Sequence, residues 1–164
     1  MIKIKIFNPL AGKNRISFQG FIGMANMLRD YSIEITDSDD FDYAFLGADD
    51  ILDKSIGLQE SIEYGLQNVD KYARGGDCFI FDGSDSTSLM GSYEVLEQSD
   101  VKFLFKNQTL RNREDYKEKT SFNKWFFGNG SGLDLGYDIP KENWDRIKLS
   151  GWNLGYMAPQ GFRP

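Results

Sequence analysis

The chain has 164 residues, and its 25 Asp and Glu residues outnumber its 19 Lys and Arg residues, which gives a net charge of −6. It contains no histidine and one cysteine. A Ser-His-Asp triad, a histidine-based zinc site and an internal disulfide are therefore excluded. The acidic balance argues against nucleic-acid partners and anionic membranes, because affinity for phosphate groups depends on Lys and Arg.

The length fits one domain of ordinary size, and we expect a single Rossmann-like domain over residues 1–164. No apolar run is long enough to span a bilayer, and the N-terminus lacks the apolar core of a signal peptide. We therefore expect no membrane span and a cytoplasmic location.

Strand and helix patterns alternate along the first two thirds of the chain. Residues 2–7 alternate apolar residues with lysines, and residues 77–82 include four consecutive apolar residues, which is typical of a strand covered on both faces. Further strands are predicted at 32–36, 42–47 and 101–106, and apolar spacings of three and four residues predict helices at 17–31, 55–73 and 89–98. This alternation predicts an α/β fold, a three-layer Rossmann-like sandwich with a mostly parallel sheet.

Residues 107–164 form a less regular, aromatic-rich part of the chain. A short helix is predicted to begin near Pro140, because proline is favoured in the first turn of a helix. The last residues, 151–164, are rich in aromatic residues, glycine and proline, with no periodic pattern. Either this tail packs back on the domain, or the chain is the first part of a larger protein.

The end of the strand at 77–82 carries the strongest candidate site. In an open parallel sheet, ligands bind outside the carboxyl ends of the strands. Asp82 ends this strand, and a run of small polar residues leads from it towards the next helix: Gly83-Ser84-Asp85-Ser86-Thr87-Ser88. Carboxylates, hydroxyls and free backbone N–H groups in one place suit a sugar, a phosphate or a divalent cation. The alternative is an ordinary turn with capping residues and a solvated Asp.

Two groups of polar and cationic residues are further candidates for ligand contacts. Lys13, Asn14 and Arg15 follow the first strand and could contact an anion or a sugar, although the glycine and Ser/Thr pattern of a phosphate loop is missing. Lys106 and Arg113 lie at and beyond the end of the strand at 101–106 and could clamp a phosphate or a carboxylate. For both groups, a solvated surface is the competing interpretation.

The tripeptide Asp37-Ser38-Asp39 follows a short predicted strand and could hold Mg²⁺ or Mn²⁺ through its carboxylates. Such acidic tripeptides are also common in solvated loops. We therefore assign no metal ligand from the sequence, and a requirement for Mg or Mn stays open.

Four strings of residues resemble the N-terminal half of glycosyltransferase-like proteins of large DNA viruses, marine phages and environmental bacteria. They are Phe81-Asp82-Gly83-Ser84-Asp85-Ser86-Thr87-Ser88, Lys102-Phe103-Leu104-Phe105-Lys106-Asn107, Arg113-Glu114-Asp115-Tyr116-Lys117 and Lys148-Leu149-Ser150-Gly151-Trp152-Asn153. The resemblance covers residues 77–153 and implies a two-domain glycosyltransferase of the GT-B type. The N-terminal domain of such an enzyme carries the acceptor side, and a C-terminal domain, missing from this chain, binds the nucleotide-sugar donor.

The implied reaction transfers a sugar from a nucleotide-sugar to a carbohydrate acceptor. With no histidine available, Asp82 or Asp85 is the candidate carboxylate that deprotonates the acceptor hydroxyl. We expect Ser84, Ser86 and Thr87 to line the ligand site beside it. If the protein is viral, its location is the host cytoplasm. The alternative is a non-enzymatic binding or assembly module of viral or phage origin that uses the aromatic-rich second half as an interface.

Overall fold

The computed structural model describes residues 1–8, 14–73, 76–84, 87–117, 124–126, 132–134 and 136–149. The strands within these residues are β1 (Ile2–Ile6), β2 (Ile33–Ile35), β3 (Tyr43–Gly47), β4 (Asp77–Asp82), β5 (Phe103–Lys106), β6 (Lys124–Phe126), β7 (Gly132–Asp134) and β8 (Ile147–Leu149). The helices are α1 (Asn14–Gly23), α2 (Ala25–Asp30), α3 (Ala48–Ile51), α4 (Leu58–Tyr72), α5 (Ser92–Glu97) and α6 (Lys141–Trp144), with a 3₁₀ helix at Arg113–Tyr116.

Six strands form one sheet in the order β2-β1-β3-β4-β5-β8, and every neighbouring pair is parallel. The order reverses at β1 and β3, because the chain first steps outward from β1 to β2 and then returns to build the other side of the sheet. The predicted α/β sandwich with a Rossmann-like parallel sheet is confirmed. Strands β6 and β7 form a separate antiparallel pair.

The two faces of the sheet are packed by different helices. On one side, which we call the α4 face, apolar residues of β3, β4 and β5 are fully buried under α3, α4 and α5: Ala44, Leu46, Ile80 and Leu104. On the other side, which we call the α1 face, Phe18 of α1 packs against Phe81, and Phe21 packs against Phe45. Cys78 is buried on the α4 face, as expected of a small packed residue.

The structure differs from the sequence prediction in short elements. The helix predicted over 17–31 is two helices that meet at Met24, directly after Gly23, where glycine weakens helical propensity. Helix α3 stands where a loop was expected, and the Asp50 carboxylate caps it by accepting a hydrogen bond from the Gly47 N–H at 3.2 Å. Strand β8 extends the sheet in a region predicted to be irregular.

The short helix expected near Pro140 is α6, and Pro140 directly precedes its first residue. The predicted tail at 151–164 lies outside the described residues. Among the described helices, none has the length and apolar character needed to cross a membrane.

Candidate functional site

A buried polar cluster lies at the carboxyl ends of β4 and β5. Asp82 is the last residue of β4, Lys106 is the last residue of β5, and the two are paired side by side in the sheet. Ser84 follows β4 by two residues, and Ser92 is the first residue of α5. We call these four residues, Asp82, Ser84, Ser92 and Lys106, the Asp82 cluster.

Hydrogen bonds and one ion pair hold the Asp82 cluster together. The Lys106 ammonium lies 2.9 Å from Asp82 Oδ2 and donates to Ser84 Oγ at 3.0 Å. The Ser92 hydroxyl donates to Asp82 Oδ2 at 3.0 Å, and the Ser84 backbone N–H donates to Asp82 Oδ1 at 3.0 Å. Both carboxylate oxygens of Asp82 are therefore engaged, and its orientation is fixed.

Burial makes this pairing necessary. The side chain of Lys106 is 0% exposed and that of Asp82 is 10% exposed, and a buried charge without a partner is strongly destabilising. Burial by itself raises the pKa of Asp82, but the Lys106 charge and the hydrogen bonds from Lys106 and Ser84 outweigh it, so the pKa lies below its usual value. Asp82 is therefore ionised at neutral pH.

Side chains from outside the cluster tie the loop between β4 and α5. The side-chain amide of Asn107 donates to the Gly83 carbonyl at 2.9 Å, and the Tyr116 hydroxyl donates to the Thr87 carbonyl at 2.8 Å. The loop ends at Gly91, whose φ of 83° lies in the left-handed region that favours glycine. The loop is thus held on both sides of residues 85 and 86, which lie outside the described residues.

A second polar contact lies at the same edge, where the strand order reverses. The side-chain amide of Asn8, just after β1, donates to Asp50 Oδ1 at 2.8 Å. Asp50 belongs to α3, directly after β3. Reversal points of this kind open a crevice at the carboxyl ends of the strands, which is the usual ligand position in open α/β sheets.

The predicted site residues are only partly brought together. Asp82, Ser84 and Lys106 meet in the cluster, and Thr87 is tied to Tyr116 through its backbone. Arg113 lies in the 3₁₀ helix, where its Nε pairs with Glu114 at 3.0 Å. Asn14 and Arg15 begin α1, and the remaining predicted residues lie outside the described residues: Lys13, Asp85 and Ser86. The ligand-binding and catalytic roles of all these residues stay predictions.

Sequence reasoning did not single out Ser92, and Asn107 and Tyr116 were not among the predicted site residues. Ser92 lies ten residues beyond Asp82 and reaches it only because α5 packs under the end of β4. Its one sequence signal is a hydroxyl residue at the start of an apolar helical stretch. Tyr116 is 0% exposed, and its hydroxyl both accepts from the Leu110 N–H and donates to Thr87.

The acidic tripeptide at 37–39 is engaged in ion pairing. Asp39 Oδ1 lies 2.5 Å from the Lys5 ammonium, and this hydrogen bond, together with the Lys5 charge, lowers the pKa of Asp39. Within the described residues, no group of three or more Asp, Glu or Cys side chains is arranged to hold a metal ion.

The Asp82 cluster combines a fixed carboxylate, an ammonium and a hydroxyl at the edge where parallel sheets bind ligands. Lys106 is fully buried and both Asp82 oxygens are engaged, so the member of this set that can meet a polar or hydroxyl-rich ligand directly is the partly exposed Ser84, whose hydroxyl the other two orient. Comparison with protein-family models, with curated proteins and with solved structures finds no match to this chain.

Proposed function

We propose that this chain is the acceptor-side, N-terminal domain of a GT-B type glycosyltransferase, and that the loop between β4 and α5 binds the carbohydrate acceptor. The observation that carries the proposal is the Asp82 cluster, with its carboxylate oriented by Lys106, Ser84 and Ser92. Its place at the carboxyl edge of an all-parallel sheet is where this architecture binds small molecules.

Within this proposal, Asp82 and Asp85 have different roles. Asp82 accepts hydrogen bonds at both oxygens and has a lowered pKa, and a carboxylate held in this way is a weak proton acceptor. We therefore assign Asp82 to positioning Lys106 and Ser84. The base that removes the proton from the acceptor hydroxyl is then Asp85, three residues further along the same loop.

The reaction itself needs a donor. The acceptor oxygen, deprotonated by the base, bonds to the anomeric carbon of the donor sugar, and the bond from that carbon to the nucleoside diphosphate breaks. In a GT-B enzyme the donor is held by the second domain, so this chain supplies acceptor binding and the base. By itself we expect it to bind a glycan without transferring a sugar.

The proposal is tested by ligand-induced thermal shift with simple glycans, free nucleotides and nucleotide-sugars, each with and without Mn²⁺. A glycan at 100 times its Kd adds about 2.7 kcal/mol to the free energy of unfolding. We expect this stabilisation with glycans and none with free nucleotides. The Ser84→Ala variant should lose most of the shift, whereas Ser38→Ala, an exposed serine after β2, should keep it.

Stabilisation by nucleotide-sugars but not by glycans would contradict the acceptor-side assignment. No stabilisation by any glycan would overturn the proposal in favour of the non-enzymatic binding or assembly module. A glycan shift that Ser84→Ala and Ser38→Ala reduce equally would place the binding site away from the Asp82 cluster.

A further inference from the structure

Two tyrosines from the connection between β5 and β8 hold the chain that leads from β4 into α5. The Tyr116 hydroxyl donates to the Thr87 carbonyl at 2.8 Å. The Tyr137 hydroxyl donates to Glu94 Oε1 at 2.5 Å. The two tyrosines are joined through the backbone, since the Tyr137 N–H donates to the Tyr116 carbonyl at 2.6 Å. One anchoring point therefore reaches both Thr87, before α5, and Glu94, inside it.

Glu94 links Tyr137 to the start of α5. Its second carboxylate oxygen, Oε2, accepts a hydrogen bond from the Gly91 N–H at 2.7 Å. This bond holds Gly91, whose φ of 83° sets the turn from which α5 begins. The next residue, Ser92, is 0% exposed and donates to Asp82 Oδ2 at 3.0 Å. Hydrogen bonds and one peptide link thus connect the Tyr137 hydroxyl to the Asp82 carboxylate.

Burial makes Glu94 dependent on its hydrogen-bond donors. Burial raises the pKa of Glu94 above its usual value, whereas the hydrogen bonds from Tyr137 and Gly91 lower it. The charge of Glu97, on the same helix, raises the pKa of Glu94 further. Removing the Tyr137 hydroxyl takes away the partner of Oε1 and leaves a poorly solvated carboxyl group. This loss weakens the hold on Gly91 more than the loss of an exposed hydrogen bond would.

Tyr93, directly before Glu94, makes the same kind of contact in a different direction. It is 3% exposed, and its hydroxyl donates to Glu97 Oε1 at 2.8 Å. The side-chain amide of Asn143, in α6, donates to the Tyr93 hydroxyl at 3.4 Å. The Tyr93 hydroxyl therefore joins α6 to α5, whereas the Tyr137 hydroxyl holds the start of α5.

We infer that Tyr137 and Glu94 are positioning residues of the candidate site. Through Ser92 they fix the Asp82 carboxylate, which accepts the Ser84 N–H at 3.0 Å and thereby orients Ser84. A site whose groups are held in the bound geometry beforehand gains affinity, because less conformational freedom is lost on binding. The effect on glycan binding rests on the proposed function, whereas the hold on Asp82 does not.

The first test is amide hydrogen exchange of the ligand-free chain, measured by NMR. The Gly91 N–H donates to Glu94 and the Ser84 N–H donates to Asp82, so these two reporter amides lie at the two ends of the connection. The Leu104 N–H, in the buried part of β5, reports on opening of the whole sheet.

We expect both reporter amides to exchange about tenfold faster in Tyr137→Phe, the size of effect that one lost hydrogen bond produces, with no matching change at Leu104. Tyr93→Phe is the matched control, because it also removes a buried hydroxyl that donates to a carboxylate. It should leave both reporter amides unchanged. Glu94→Gln keeps the shape of the side chain but loses one acceptor oxygen. It should accelerate the same two amides, and it replaces Tyr137→Phe if that variant does not fold.

The second test measures binding of lactose, maltose and cellobiose by isothermal titration calorimetry. For a disaccharide that binds the wild type, we expect Tyr137→Phe to raise the Kd about tenfold and Tyr93→Phe to leave it unchanged. A role in stability alone would lower the free energy of unfolding in both variants and leave the Kd of the folded chain as it was.

Two results would overturn the inference. The first is exchange of the reporter amides that is no faster in Tyr137→Phe than in Tyr93→Phe, or that rises only in step with Leu104. The second is a disaccharide Kd that Ser84→Ala raises and Tyr137→Phe does not, because the site would then form without the tyrosine. If none of these disaccharides binds the wild type, the proposed function fails for these sugars, and the exchange rates alone decide whether Tyr137 positions Asp82.

Discussion

An Asp–Lys pair lies at each end of β4 and β5, with Lys102 directly before the first residue of β5, and the two pairs lie in opposite environments. At the amino end, Asp77 and Lys102 are 3.4 Å apart, and each side chain is 51% exposed. At the carboxyl end, Asp82 and Lys106 are 2.9 Å apart, with exposures of 10% and 0%. The same two residue types, Asp and Lys, therefore form a solvated ion pair at one end of these strands and a buried ion pair at the other.

The surroundings account for the difference. Asp77 and Lys102 line an open cleft of about 980 Å³ at the amino ends of the strands. Asp82 and Lys106 are buried at the carboxyl ends of the strands, where Ser84 and Ser92 are their hydrogen-bond partners. An exposed pair contributes little to stability, whereas a buried pair is costly to break, because the remaining charge stays in a medium that solvates it poorly.

The largest effect is expected from removing one charge of the buried pair. Lys106→Met leaves Asp82 buried without its counter-ion, and we expect a loss of about 3 kcal/mol or more in the free energy of unfolding, measured by urea denaturation. Lys102→Met, the same change at the exposed end, should cost less than about 1 kcal/mol.

The double variant Asp82→Leu with Lys106→Met separates lost charge balance from lost packing. Replacing both members of a buried pair by apolar residues of similar volume is often neutral, so the double variant should be more stable than Lys106→Met alone. If the double variant is the less stable of the two, the cost of Lys106→Met comes from packing and not from an unpaired carboxylate.

A smaller effect is expected from protonating Asp82 with acid. The pKa of Asp82 is lower in the folded protein than its usual value, so its contribution to stability is complete above about pH 4, near the pKa of an unfolded Asp. The contribution is lost as the pH falls below that value towards the folded pKa. The difference in unfolding free energy between the wild type and Asp82→Asn should therefore be constant from pH 5 to pH 8 and shrink in more acidic solution. A difference that stays constant down to pH 2 would contradict the lowered pKa.

The buried pair shows how much of the candidate site could be predicted from the sequence. Asp82 was predictable because it ends an apolar strand, and the rule that parallel sheets bind ligands at their carboxyl edge then brought Lys106 and Ser84 into consideration. Ser92 was not predictable in this way, since its contact with Asp82 depends on how α5 packs under β4. The local sequence pattern predicts where a strand ends, but it does not predict how a helix packs against the sheet.

Short elements limited the fold prediction for a similar reason. Strand β8 has three residues, Ile147–Leu149, and three residues are too few to show a period of two. Its place in the sheet is set by pairing with β5, a long-range contact. By contrast, β4 is long and apolar enough to be identified from its own residues, and its predicted bounds at 77–82 are confirmed.

A still smaller loss of stability is expected from removing a single buried hydroxyl group. Ser92→Ala removes one buried donor to Asp82 Oδ2, and we expect a loss of about 1 to 2 kcal/mol in the free energy of unfolding. Ser55→Ala is the matched control, because the Ser55 hydroxyl donates to Asp53 Oδ1 at 2.6 Å in an exposed loop, where water can replace it. Equal losses in the two variants would mean that burial does not increase the contribution of the Ser92 hydroxyl to the free energy of unfolding.

The smallest effect is expected at the exposed pair. Asp77→Asn removes an attraction that water and salt already screen, so we expect a loss of about 0.5 kcal/mol or less at low salt, and none at 1 M NaCl, where charges are screened within about 3 Å. Urea denaturation at the two salt concentrations measures the difference. A loss as large as that of Ser92→Ala, unaffected by salt, would contradict the exposure of this pair.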